Sequence, residues 1–137
     1  MQLAQSEALR LIHNFGTNDP FRIAELKNIC VIFEDLGNIY GYFYKSKRIA
    51  TIHINNRLDD TWARWTCAHE IGHQVLHPGL NLPFLRKNTL FHIDKYEREA
   101  HTLALHLHIG NSLPEPGESK SLFLRRCGVP LEFHTLY

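Results

Sequence analysis

The segment Thr61-Trp62-Ala63-Arg64-Trp65-Thr66-Cys67-Ala68-His69-Glu70-Ile71-Gly72-His73-Gln74-Val75-Leu76-His77 decides how the rest of the chain is read. Within it, His69-Glu70-Ile71-Gly72-His73 has the form H-E-x-x-H. On an α-helix, residues four apart lie one turn apart on one face, so the imidazoles of His69 and His73 can converge on a single ion. Glu70 directly follows the first imidazole, where its carboxylate can accept a proton from a water held by that ion. Two nitrogens do not complete a catalytic zinc site, which typically takes a third protein ligand and keeps one position open. That ligand must come from another part of the chain.

The segment is also apolar nearly all round, through Trp62, Ala63, Trp65, Cys67, Ala68, Ile71, Val75 and Leu76, and a helix of that kind is buried. A Glu and two His in such a setting are unfavourable unless paired or coordinated, and a metal ion supplies the partner. Asp59 or Asp60 is the expected N-cap, favoured there by the exposed N–H groups and the positive end of the dipole. His77-Pro78-Gly79 ends the helix. His77 is eight residues from His69, about 12 Å along the axis, so it is assigned to the C-terminal cap rather than to the ion.

Residues 94–108 read as a second helix, with Tyr96, Ala100, Leu103, Ala104 and Leu107 as its apolar stripe. Glu97, Glu99, His101, His106 and His108 are its candidate ligands. Glu97, His101, Ala104 and His108 recur at helical spacing and share one face. Glu99 points about 200° away from Glu97 and reads as a solvated charge. Glu97 is therefore assigned as the third metal ligand. His101, one turn later, either orients a ligand or competes with Glu97 as one.

Ahead of the two helices, residues 2–14 have helical spacing at Leu3, Ala4, Ala8, Leu11 and Ile12, and Asp19-Pro20 opens a short helix through Leu26. Residues 28–34, 38–44 and 48–54 are rich in Ile, Val, Phe and Tyr and predict a three-strand meander. Tyr40, Tyr42 and Tyr44 form a row expected to pack on the sheet surface. Residues 79–88 read as an irregular loop, and after Pro114-Glu115-Pro116-Gly117 two short helices are expected over 119–127 and 130–136. The predicted fold class is α+β, with a short antiparallel sheet packed against the H-E-x-x-H helix and a second ligand-bearing helix. One domain is expected over residues 1–137.

With 137 residues and 44% hydrophobic content, the chain can bury a single core. Fifteen basic and 14 acidic residues leave a net charge of +1, which argues against a nucleic-acid-binding surface. No apolar run approaches the ~20 residues of a membrane span. The N-terminus lacks the basic start and apolar stretch of a signal peptide. Cys30, Cys67 and Cys127 are odd in number and contain no C-x-x-C, which predicts reduced thiols and a cytoplasmic protein.

Residues 29–107 resemble the ImmA/IrrE-type metallopeptidases of phages and mobile elements. The resemblance is carried by Ile52-His53-Ile54-Asn55, by Cys67-Ala68-His69-Glu70-Ile71-Gly72-His73 with Leu76-His77, and by Glu97-Arg98-Glu99-Ala100-His101-Thr102-Leu103-Ala104, which looks like the family's E-x-E-A-N-x-F-A. It implies a zincin-like domain in which His69, His73 and Glu97 bind Zn2+ and Glu70 is the general base. It also implies a cytoplasmic endopeptidase that cleaves a cognate helix-turn-helix repressor. This chain departs from the pattern at His101, where the family has Asn or Asp, at Leu103, where it has Phe, and at His108-Ile109-Gly110-Asn111, where it tends to L-L-x-P.

Peptide hydrolysis also needs a donor for the developing oxyanion, and Tyr96, His92 and His101 are the candidates. The competing reading is a metal-bound, non-proteolytic interaction module that regulates a DNA-binding partner. It would keep the metal for folding, with His101 closing the site as a fourth ligand. Glu70 favours the enzyme, because a purely structural site needs no base.

Overall fold

A computed structural model describes residues 2–79, 84–85 and 95–137. Its elements are α1 (Gln2–Phe15), α2 (Pro20–Leu26), β1 (Ile29–Glu34), β2 (Ile39–Ser46), β3 (Ile49–Asn55), α3 (Asp60–Leu76), β4 (Phe84–Leu85), α4 (Lys95–Ile109), α5 (Lys120–Arg126) and a 3-10 segment, Leu131–Leu136. The class is α+β. No described helix is long and apolar enough to cross a membrane.

Local chemistry accounts for the helix starts. The Asp19 carboxylate accepts from the Phe21 amide at 3.0 Å, with Pro20 as the first helical residue. The same oxygen takes a guanidinium hydrogen bond from Arg64 at 2.8 Å, which ties the start of α2 to α3. Asp59 caps α3 by accepting from the Trp62 amide at 2.9 Å, and Ser119 caps α5. The last segment winds as a 3-10 helix, not an α-helix.

The sheet is mixed, and this corrects the antiparallel meander. Its order is β1-β3-β2-β4, with β1 parallel to β3 and β2 antiparallel to both β3 and β4. The short 35–38 link suggests a hairpin, yet β3 lies between β1 and β2. Two features account for the insertion. β3 carries Ile52 and Ile54, both fully buried, so it belongs at the centre of the sheet. At its end, buried Asn55 donates its amide hydrogens to the carbonyls of Gly37 at 2.9 Å and Ile39 at 3.0 Å. The β1–β2 link is thus satisfied by a side chain of β3 rather than by a hairpin ladder. β4 is a further departure, since Phe84 and Leu85 pair with β2 inside the stretch read as irregular. The rest of that stretch lies outside the described residues. Of the tyrosine row, Tyr42 stacks on His53 with ring centroids 4.4 Å apart, Tyr44 is half exposed, and Tyr40 meets Trp62 of α3 edge-on.

Two glycines set how closely the layers approach. A Cβ on Gly41 would lie 2.6 Å from both the His53 carbonyl oxygen and the Thr66 methyl, so β2 can press against α3 only without a side chain there. A Cβ on Gly72 would lie 3.0 Å from the Ala100 carbonyl oxygen and 3.1 Å from its Cα, which fixes the α3–α4 crossing. Gly72→Ala sets a gain of up to ~1 kcal/mol in helix propensity against a contact that presses on backbone. Gly72→Val adds two more methyl groups with a smaller gain in propensity, so it should destabilise the protein by ~2 kcal/mol or more through overpacking. Urea unfolding measures this, and an unchanged midpoint for Gly72→Val would refute the close approach.

Candidate active site

α3 is buried without a break from Trp65 to His73. It lies between the sheet, met by Gly41 of β2, and α4, met at Gly72. His69, Glu70 and His73 are each at most 1% exposed. On α4, Glu97 and His101 face the same place, at 4% and 1% exposed. The crossing at Gly72 and Ala100 brings the two sets together.

Glu97 is the meeting point. Nε2 of His73 lies 2.5 Å from one of its carboxylate oxygens, and Nε2 of His69 lies 3.2 Å from the other. Burial alone would raise the Glu97 pKa, but hydrogen bonds and charge from His69 and His73 outweigh it and hold the group down at about 2. Burial pushes His69 the other way, below the ordinary imidazole value. Glu70 is raised well above the carboxylate range, first by burial and then by the charge of Glu97. A weak contact with the Phe43 backbone amide only partly offsets that rise. An ionised carboxylate there calls for a cation. Two imidazole nitrogens and one carboxylate, all buried and convergent, form a donor set that suits Zn2+, so the residues present fit the group.

His101 stands beside this cluster. Its ring lies 4.0 Å from His69 and stacks on Phe133 at 4.2 Å, centroid to centroid. His69, Glu97 and His101 each offer one ligand atom within 4.8 Å of the others. The bonding of the His101 ring bears on that possibility. Nε1 of Trp65 lies 3.2 Å from Nδ1 of His101, and an indole N–H only donates. Nδ1 is therefore the acceptor. Burial holds the ring well below its ordinary pKa, hence neutral, so its proton sits on Nε2. That nitrogen is a donor and has no lone pair for a metal.

The remaining predicted groups are spread more widely. Tyr96 is half exposed and packs edge-on against His77 at 4.9 Å. His92 lies outside the described residues. Glu99, read as a solvated charge, accepts from Nε2 of His77 at 2.9 Å. His77 does cap α3, its amide bonding the His73 carbonyl at 2.8 Å, and its Nδ1 also lies 3.0 Å from Nδ1 of His73. Sequence reasoning missed the roles of Trp65, Phe133, His77 and Glu99 around the site. The i, i+4 spacings of Trp65 with His69 and of His73 with His77 were the available signals.

His108 shares the helix face of Glu97 but packs against Trp65, with ring centroids 5.1 Å apart. Its Nδ1–H donates to the Ala104 carbonyl at 2.9 Å, and burial lowers its pKa to about 4. The folded state resists its protonation, so the associated stability is present above ~6.5 and lost as pH falls toward 4. Between pH 7 and 4, the metal-free protein should lose ~3 kcal/mol more stability than its His108→Gln variant. Urea titrations at the two pH values check this, and equal losses would refute it.

A family model described as the IrrE N-terminal-like domain, Peptidase_M78, matches residues 24–118. The chain is 41% identical over 106 residues to an uncharacterized immunity region protein 2 of Bacillus phage phi105, covering 77% of this chain and 67% of that protein. It is 31% identical over 99 residues to the metallopeptidase ImmA of Bacillus subtilis (strain 168), covering 71% of this chain and 57% of that protein. The match thus spans little more than half of the ImmA chain. No solved structure matches significantly.

Proposed function

This chain belongs to the IrrE N-terminal-like family of metallopeptidases, and on that premise we propose that it is a zinc-dependent endopeptidase that cleaves a cognate helix-turn-helix repressor of a phage or mobile element. The observation that carries the reading is the Glu97 carboxylate bridging Nε2 of His69 and Nε2 of His73, next to the buried carboxylate of Glu70. His69, His73 and Glu97 hold the metal.

Zinc, when bound, polarises the scissile carbonyl and lowers the pKa of water toward ~7. Glu70 accepts the proton of the attacking water and passes it to the leaving amine. His101, with its N–H on Nε2 and its Nδ1 held by Trp65, donates toward the oxyanion rather than ligating. Among the described residues, β4 pairs with β2 only at Ile39 and Gly41, leaving Tyr42 to Ser46 to hold an extended substrate by strand pairing.

The repressor is proposed from the family resemblance and from a relative whose name places it in a phage immunity region. Such a substrate puts the enzyme in the cytoplasm. The three cysteines, all free, are compatible with that compartment.

The rival, a metal-bound module without proteolysis, draws on the closeness of His101 to His69 and Glu97. The Trp65 hydrogen bond counts against a closed four-ligand site, since it leaves His101 no lone pair facing the metal. The test is to incubate the purified chain with the repressor encoded beside it, with zinc or with chelator. Discrete repressor fragments are expected with zinc and none with chelator. An intact repressor in both, together with tight binding, would favour the module.

A further inference from the structure

The three groups His73, His77 and Glu99 form a chain leading away from the metal site. Nε2 of His77 lies 2.9 Å from a Glu99 oxygen, and Nδ1 of His77 lies 3.0 Å from Nδ1 of His73. An ionised carboxylate only accepts, so His77 carries its proton on Nε2. In its neutral form the His77 ring then presents Nδ1 as an acceptor. His73 must donate from its own Nδ1, so Nε2, 2.5 Å from a Glu97 oxygen, is the nitrogen left to bind a cation in place of the proton it shares with that carboxylate.

We propose that Glu99 and His77 are positioning residues that lock His73 in the one tautomer and ring orientation able to bind a divalent cation. This rests on the proposed metal site. Each link has a structural anchor. The His77 backbone is held by its amide bond to the His73 carbonyl, and its ring packs edge-on against Tyr96. The His77 side chain is 5% exposed, while Glu99, at 23%, closes the chain from the rim. The relay also passes a carboxylate's electron density through two imidazoles, which makes the His73 Nε2 more basic toward the ion. On this account Glu99 is not a spectator on the solvent face of α4. It does for His73, through His77, what a direct carboxylate partner does for many metal-bound histidines.

The test measures zinc affinity by competition with a chromophoric chelator, alongside the d–d spectrum of the cobalt(II)-substituted protein. Glu99→Ala is expected to weaken zinc binding ~10–100-fold and to shift the cobalt bands. Glu99→Gln, whose amide oxygen still accepts from His77, should recover most of the affinity. His77→Phe keeps a ring against Tyr96 but removes both nitrogens, so it should weaken binding like Glu99→Ala. Circular dichroism of each metal-free variant establishes that it is folded. Wild-type affinity and an unchanged cobalt spectrum in Glu99→Ala and His77→Phe would overturn the relay while leaving the metal site standing. A wild-type protein that binds no zinc would overturn both.

Discussion

Glu70→Gln is expected to retain zinc while losing cleavage of the cognate repressor by ~10²–10⁴-fold, the usual contribution of a general base. The substitution keeps the size and shape of the side chain but cannot take a proton from water. Glu70 is 1% exposed and does not bond to His69, His73 or Glu97, so its replacement leaves the proposed ligands undisturbed. The variant should therefore still bind the repressor. Gel assays of cleavage, paired with metal analysis of the same samples, check both halves. Equal biological activity of wild type and Glu70→Gln, with no cleavage by either, would sink the enzyme and leave the binding module.

Glu97→Ala is expected to lose the metal. It removes the carboxylate that both Nε2 atoms face, so affinity should fall by more than the ~10–100-fold typical of an outer hydrogen-bond partner. The metal-free fold should also weaken by ~3 kcal/mol, because two imidazoles remain in a dry site without their carboxylate. His101→Asn restores the residue usual in the family at that position and should leave the metal bound. Metal content after dialysis and zinc titration of each variant decide the matter. Loss of the ion in His101→Ala with retention in Glu97→Ala would reverse the assignment and make His101 the third ligand.

Legibility in the sequence tracked the range of each interaction. The caps at Asp19 and Asp59 and the helical frame that sets His69 beside His73 depend on neighbours within a few residues. The facing of Glu97 toward the two histidines followed from its spacing along α4, once a second helix was assumed to pack against the first. The strand order did not follow. A four-residue link looks like a hairpin, and nothing local reveals that Asn55 will satisfy its carbonyls from the end of a later strand.

The α+β class, the burial of α3, and its two imidazoles one turn apart with a carboxylate beside the first were all legible in the residue pattern. These depend on helical periodicity and hydrophobic content, which are properties of a segment. The parallel pairing of β1 with β3, the pairing of His77 with Glu99, and the hydrogen bond from Trp65 to His101 arise only in the packed molecule. Helical geometry alone, with Glu99 two residues and about 200° from Glu97, read Glu99 as a solvated charge. What it could not supply was the partner, because His77 reaches that flank from the end of another helix. Likewise, the proton on His101 is set by an indole 36 residues earlier in the chain. A hydrogen-bond donor's direction is a three-dimensional quantity, and only the packed α3–α4 pair defines it.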